Sequence, residues 1–198
     1  TPVLTPFSRY EKIDTGCYNE YFHWLKENQV QDIFVFGTYG AGVLLSYIEK
    51  KKLIEAVSKE CSNHNINAII NIGTPCVHES INLAKHVENL GSHIICSTVP
   101  YYHSNDGYYN IYNICKFFDR IVENTELSVY LYNNPRTTGM LIQPNEFVQL
   151  VKVGLCGVKD GSYNDEIWVN KTLNLLNKEN LNAEIVFGNS VQLEFLQD

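Results

Sequence analysis

Leu155-Cys156-Gly157-Val158-Lys159-Asp160-Gly161-Ser162 is a short apolar run that ends in one lysine and breaks at once into turn residues. Apolar runs bounded in this way read as buried strands of a parallel sheet. A lysine closing such a strand lies in the interior or at the mouth of the fold, where its charged form is costly. Full desolvation favours the neutral amine. A neutral amine is a nucleophile toward carbonyl carbon, which is the Schiff-base use of lysine. The plain alternative is a lysine whose stem snorkels off the strand end to water, and the rest of the chain has to decide between the two.

Working outward, similar apolar runs recur along the chain. The stretch from Val3 to Phe7 reads as the end of a first strand, and further strands are expected at 33–36, 68–72, 93–97, 129–132, 155–159 and 184–188. Helical signals lie between them. Asp14 is placed to cap a helix whose face carries Tyr18, Tyr21, Phe22 and Leu25. Ser46-Tyr47-Ile48-Glu49 has the form of a capping box. A helix is expected over about 79–90, and Ile111, Ile114, Cys115 and Phe118 mark another helical face. The strands are continuous apolar runs rather than alternating ones, the pattern of a parallel sheet covered by helices. Seven such units fit a (β/α)₈ TIM barrel better than a doubly wound sheet. No Gly-x-Gly-x-x-Gly follows the first strand, and Gly37 to Gly42 fits neither that motif nor a Walker A loop.

Composition limits the partners. The 198 residues are 44% hydrophobic with a formal net charge of −7, enough for one sizeable core. An acidic chain without a basic stripe excludes nucleic acid. Lys50-Lys51-Lys52, beside Glu49 and Glu55, reads as a solvated helix face. No apolar run approaches the ~20 residues of a membrane span. The six cysteines include no Cys-x-x-Cys pair, and Cys96 and Cys156 fall in apolar runs. They read as buried free thiols of a cytoplasmic protein.

In a barrel the carboxyl ends of the strands share one mouth. Reading those ends assembles Thr38, Tyr39, Tyr101, Tyr102, Tyr132, Lys159, Gly188 and Asn189. One amine, several phenols and a hydroxyl make no metal site, because no carboxylate cluster or His/Cys set accompanies them. His103, the histidine nearest the mouth, reads as a loop residue rather than a catalyst.

Gly37-Thr38-Tyr39-Gly40, Pro100-Tyr101-Tyr102, Tyr132-Asn133-Asn134-Pro135 and Gly157-Val158-Lys159-Asp160, in this order and spacing, resemble the dihydrodipicolinate synthase/N-acetylneuraminate lyase family. The likeness runs from Thr5-Pro6-Phe7 to Gly188. It implies a (β/α)₈ barrel that condenses pyruvate with an aldehyde, or cleaves a 2-keto-3-deoxy acid to pyruvate, with no cofactor and no metal. It also implies a homo-oligomer, a dimer or tetramer. On that resemblance Lys159 is the Schiff-base lysine and Tyr132 the proton shuttle. Thr38 holds the pyruvate carboxylate and relays protons, and Tyr102 completes the relay, in family tetramers from a neighbouring subunit. Tyr39, Gly188 and Thr137 join Thr38 as substrate-binding positions.

Three departures bear on the substrate. Tyr39 and Ala41 replace a threonine and a glutamate of the family's loop. Thr137 stands where the synthases carry a carboxylate-binding arginine, with Arg136 one position early. Asn189, Ser190 and Val191 stand where the sialic-acid lyases carry acidic residues. A small 2-keto-3-deoxy acid is therefore expected ahead of the dihydrodipicolinate synthase and N-acetylneuraminate lyase substrates. The chain starts at Thr1 without methionine and runs ten residues past Gly188. We expect one barrel domain over 1–198 that lacks the eighth strand and the C-terminal helices, as a trimmed form or a piece of a longer chain. The rival of another class is a non-catalytic paralogue acting as a binding or regulatory subunit.

Overall fold

A computed structural model describes residues 1–102, 104, 109–162 and 166–188. Six parallel strands run in sheet order identical to their sequence order: β1 (Asp32–Val35), β2 (Asn67–Asn71), β3 (Ile94–Thr98), β4 (Ser128–Asn133), β5 (Gly157–Asp160) and β6 (Glu184–Phe187). A doubly wound sheet reverses its strand order at a switch point, whereas sequential order with a helix after each strand belongs to a TIM barrel. The architecture is a partial TIM barrel, a curled sheet with helices on its outer side.

The helices are α1 (Tyr18–Glu27), α2 (Tyr47–His64), α3 (Val77–Glu88), α4 (Ile111–Val122), the single turn α5 (Pro135–Thr138), α6 (Pro144–Lys152) and α7 (Glu166–Lys178). The sequence signals mark the start of α2 directly and that of α1 only through a preceding turn, because Cys17 at the start of α1 makes no side-chain cap bond. Asp14 accepts from the Gly16 N–H at a short 3₁₀ turn that leads into α1, and Ser46 with Glu49 forms the reciprocal box at α2. Tyr18, Phe22 and Leu25 are buried from α1, and Ile114 and Phe118 from α4.

Two apolar layers result from the two-residue period of the strands. Ile33, Val35, Ile70, Ile95, Val129, Leu131 and Val158 pack outward under the helices as part of the main core. Phe34, Cys96, Tyr130 and Tyr132, with Ile69, Ile94 and Val186 against them, form a second cluster inside the curl. Burial on both faces is why these strands read as continuous apolar runs.

Three expectations are corrected. The first strand is reduced to a bridge between Pro2 and Phe34, with hydrogen bonds from the Val3 N–H to the Phe34 carbonyl (2.9 Å) and from the Phe34 N–H to the Thr1 carbonyl (2.8 Å). Prolines at 2 and 6 lack the N–H that a strand ladder needs. The lysine run on α2 is not wholly solvated, because Lys50 is 7% exposed. At about 100° per residue a three-residue run spans more than half the helix circumference, so one end of it can reach the buried side. Of the cysteines only Cys61 and Cys96 are buried; Cys17, Cys76 and Cys156 are exposed and Cys115 is intermediate, and all six are free. Cys156 lies just before β5, ahead of the segment covered on both faces.

Candidate active site

Pairing register sets the site before any side chain is considered. Thr98 is opposite Tyr132 and Tyr132 opposite Lys159, so residues far apart in sequence end on one rim of the sheet. Tyr132 and Lys159 share the inner face there.

Tyr132 is 5% exposed, and its ring meets Phe34 of β1 edge-on, centroids 5.0 Å apart. The Lys159 amine lies 4.4 Å from the centre of the Tyr132 ring and 5.1 Å from that of Phe34. Two aromatic faces thus hold it by cation–π contact. Room for the amine is made by glycine. A Cβ at Gly188 would strike the Lys159 Nζ, and would lie 2.7 Å from both the Lys159 Cε and the Asp160 carbonyl oxygen. Gly161 is close as well, its virtual Cβ 3.5 Å from the same nitrogen. Gly188 therefore serves the lysine directly, by leaving space for it.

The Tyr132 oxygen lies 3.4 Å from the Thr38 hydroxyl. The Asn134 side-chain amide donates to both oxygens, at 3.0 Å to Tyr132 and 3.2 Å to Thr38. Thr38 reaches this position through an irregular turn after β1. Phe36 adopts a left-handed conformation (φ 60°), which costs a non-glycine residue on the order of 1–2 kcal/mol. Asn71 at the end of β2 secures that turn, its amide donating to the Phe36 carbonyl at 3.0 Å while its oxygen accepts from the Gly73 N–H at 3.1 Å.

The outer side of the same rim is tied by Asp160, which has 0% exposure. It accepts from the Asn133 amide at 3.0 Å and from the Ser162 hydroxyl at 2.7 Å, and the Asn133 oxygen accepts from the Ile142 N–H at 3.3 Å. This buried carboxylate joins the ends of β4 and β5, next to the residues that carry the phenol and the amine.

A cavity of about 250 Å³ opens beside the cluster. Its wall includes Thr38, Lys50, Thr98, Tyr101, Tyr132 and Thr137 but, among the described residues, neither Lys159 nor Gly188. Burial pushes the Lys50 amine below its ordinary range, and the charge of Glu79 opposes the shift. Burial and then the Glu79 charge push the Tyr101 phenol up. Inside the sheet, burial pushes the Cys96 thiol well up, with the charge of Lys159 pulling the other way.

Of the residues singled out from sequence, Thr38, Tyr132, Lys159 and Gly188 come together. Thr137 lines the cavity, where Arg136 is exposed and not part of its wall. Tyr39 is 75% and Tyr102 66% exposed, and neither lines the cavity. His103 and residues 189–191 lie outside the described residues. Sequence reasoning assigned no role to Asn134, Asp160, Asn71 or Lys50. Asn134 and Asp160 lie inside the family-like motifs, and a polar residue at or just past the end of a buried strand was the available signal. Among the described residues no group of three or more His, Cys, Asp or Glu side chains is placed to hold a metal. No helix among them is long and apolar enough to cross a membrane.

The family model for the dihydrodipicolinate synthetase family matches residues 1–182. The 4-hydroxy-tetrahydrodipicolinate synthase of Methanocaldococcus jannaschii is 32% identical over 144 residues, which is 72% of this chain and 47% of that protein. The enzyme of the same name from Oceanobacillus iheyensis is 32% identical over 173 residues, 86% of this chain and 56% of that one. The chain spans about half the length of these curated relatives. In structure it is similar to a prophage protein of the dihydrodipicolinic acid synthase family from E. coli, solved in complex with pyruvate. The TM-score is 0.87 at 21% identity, over 97% of this chain and 63% of the other. The 4-hydroxy-tetrahydrodipicolinate synthase of Methylacidiphilum fumariolicum SolV gives 0.86 at 24% identity, over 98% and 63%. At these identities the likeness speaks to the fold.

Proposed function

The chain belongs to the dihydrodipicolinate synthetase family, and on that premise we propose that it is the lysine-bearing part of a Schiff-base aldolase. The reaction condenses pyruvate with an aldehyde, or cleaves a 2-keto-3-deoxy acid to pyruvate. The observation that carries the reading is the Lys159 amine held 4.4 Å from the centre of the Tyr132 ring, with the Tyr132 oxygen in turn bound to Asn134 and near Thr38.

In this reading Lys159 attacks the ketone carbon of pyruvate and forms a carbinolamine. Tyr132 supplies the proton with which water departs, leaving a protonated imine. That imine is the electron sink that lets the Tyr132 phenolate take a proton from the pyruvate methyl, which restores the phenol. The resulting enamine attacks the aldehyde carbon, and the new alkoxide takes a proton back through Tyr132 and Thr38. Hydrolysis of the imine returns the amine. Thr38 receives the pyruvate carboxylate, with Tyr39 the adjoining substrate-binding position of the loop, and Gly188 faces the substrate through its backbone. Thr137, uncharged at the cavity wall, favours a 2-keto-3-deoxy acid over an aldehyde that bears its own carboxylate. The chain works as part of a cytoplasmic homo-oligomer of barrel domains, with Tyr102 at the neighbouring site.

The test is incubation with pyruvate and borohydride followed by peptide mass analysis. A three-carbon addition on Lys159 is expected. A folded sample that stays unlabelled would sink the aldolase reading and leave a binding module.

A further inference from the structure

We propose that Asn134 is a positioning residue for the proton relay, joining Thr38 and Tyr132 within one chain. The inference rests on the aldolase reading above and names a member of its site. Asn134 follows β4 directly and occupies the position before the first turn of α5. Asparagine at such a position ordinarily caps the helix with its side chain, but here no side-chain cap bond forms. The backbone carbonyl of Asn134 instead anchors the turn, accepting from the hydroxyls of Thr137 (3.1 Å) and Thr138 (3.0 Å). The amide is thereby left to reach inward.

The amide's targets lie two residues away on β4 and 96 residues away on the loop after β1. At 3.4 Å the direct Tyr132–Thr38 contact is long. The amide bonds, at 3.0 and 3.2 Å, are what hold the two oxygens together. An amide nitrogen carries two protons, one for each oxygen. With both acceptor sites occupied by donors, the hydroxyl protons of Tyr132 and Thr38 are free to move toward substrate or toward each other. A donor fixed at the phenol oxygen also stabilises it while its proton is away. Asn134 is 4% exposed, so water does not compete for these bonds. Its own oxygen has no hydrogen-bond partner among the described residues, which leaves the contacts to Tyr132 and Thr38 as its side-chain bonds.

The experiment measures the single-turnover rate at which borohydride traps pyruvate on Lys159, together with the pyruvate concentration for half-saturation and the melting temperature. Asn134→Leu removes donors and acceptor at similar shape. Asn134→Asp keeps an acceptor in an isosteric side chain and loses the donors. Both should slow trapping about 10- to 100-fold, the worth of one bond to a charged oxygen, with a smaller rise in half-saturation because Thr38, the other oxygen Asn134 holds, receives the pyruvate carboxylate. In a Tyr132→Phe background, Asn134→Leu should cause a much smaller further loss, because most of its effect acts through the phenol and only the bond to Thr38 remains. Parental trapping by Asn134→Asp, or an equal loss in both backgrounds, overturns the proposal while leaving the aldolase reading intact. If Asn134→Leu does not fold, the isosteric aspartate variant decides. If the unaltered chain takes no label, the aldolase reading itself fails and this assignment falls with it.

Discussion

Tyr130 and Tyr132 sit two positions apart on β4, in one cluster inside the curled sheet, and their hydroxyls meet opposite surroundings. Tyr130, toward the amino ends of the strands, donates to the Glu184 carboxylate of β6. Burial first, and then that bond and the carboxylate's charge, push its phenol well above the ordinary range. It is a donor locked to one acceptor. Tyr132, at the carboxyl ends, meets a neutral hydroxyl and a neutral amide that donates to it. Residue type and strand are shared, so neither decides the chemistry. What decides is which neighbours the sheet brings to each end, and among the described residues only the carboxyl end supplies a donor to the phenol oxygen.

The sharpest way to break this comparison is to remove one oxygen from each tyrosine. Tyr132→Phe is expected to lower turnover about 10²–10⁴-fold, the usual worth of general acid–base catalysis, while stability falls by about 1 kcal/mol. Turnover and melting temperature measured on one sample check this. A melting loss with turnover held would make Tyr132 a packing residue, no different in kind from Tyr130.

Tyr130→Phe should leave turnover unchanged and act instead on alkaline stability. The folded chain holds the Tyr130 proton more tightly than the unfolded chain, whose tyrosines titrate near 10. The stability this contributes is fully present below about pH 10 and is lost as pH rises beyond it. Melting curves between pH 9 and 12 should therefore slope less steeply in Tyr130→Phe than in the parent. Some slope remains, because burial also raises the Tyr18 phenol and holds the Cys61 thiol up to about 12. An unchanged slope would mean that burial and Glu184 together do not hold the Tyr130 proton in the folded chain.

A smaller effect is expected one layer out, at the carboxyl end alone. Asn71→Ala removes the amide that secures the left-handed turn at Phe36. It should cost about 1 kcal/mol of stability and lower turnover less than Tyr132→Phe does, through a looser Thr38. Thermal melting and steady-state rates read both. A turnover loss matching that of Tyr132→Phe would place Asn71 inside the relay rather than behind it.

The chain's own pattern carried much of this. Apolar runs without alternation led to a parallel sheet, and five of the expected strands recur as β2 to β6 with shifted ends, the sixth as β1. The reading failed where it depended on pairing: Val3 to Phe7 looks like strand in composition, yet with prolines at 2 and 6 the chain there pairs with β1 through the bridge of Pro2 to Phe34. Thr38, Tyr132 and Lys159 were legible because each ends an apolar run or opens a turn, positions that a barrel gathers at one mouth. Lys50 was misread because a run of three lysines carries no mark of which one its helix turns inward.

By itself the sequence determined the order of strands and helices, the capped turn ahead of α1, the capping box of α2, and a lysine at the end of a buried strand. These follow from periodicity and local hydrogen bonding, which act over a few residues. Tertiary structure alone decided that Asn134 meets Thr38 across 96 positions, that Gly188 makes room for the Lys159 amine, and that Tyr130 is bound to Glu184 while Tyr132 is not. Those contacts depend on strand register and on the curl of the sheet. Both are set by the packing of the whole chain, and no local stretch encodes them.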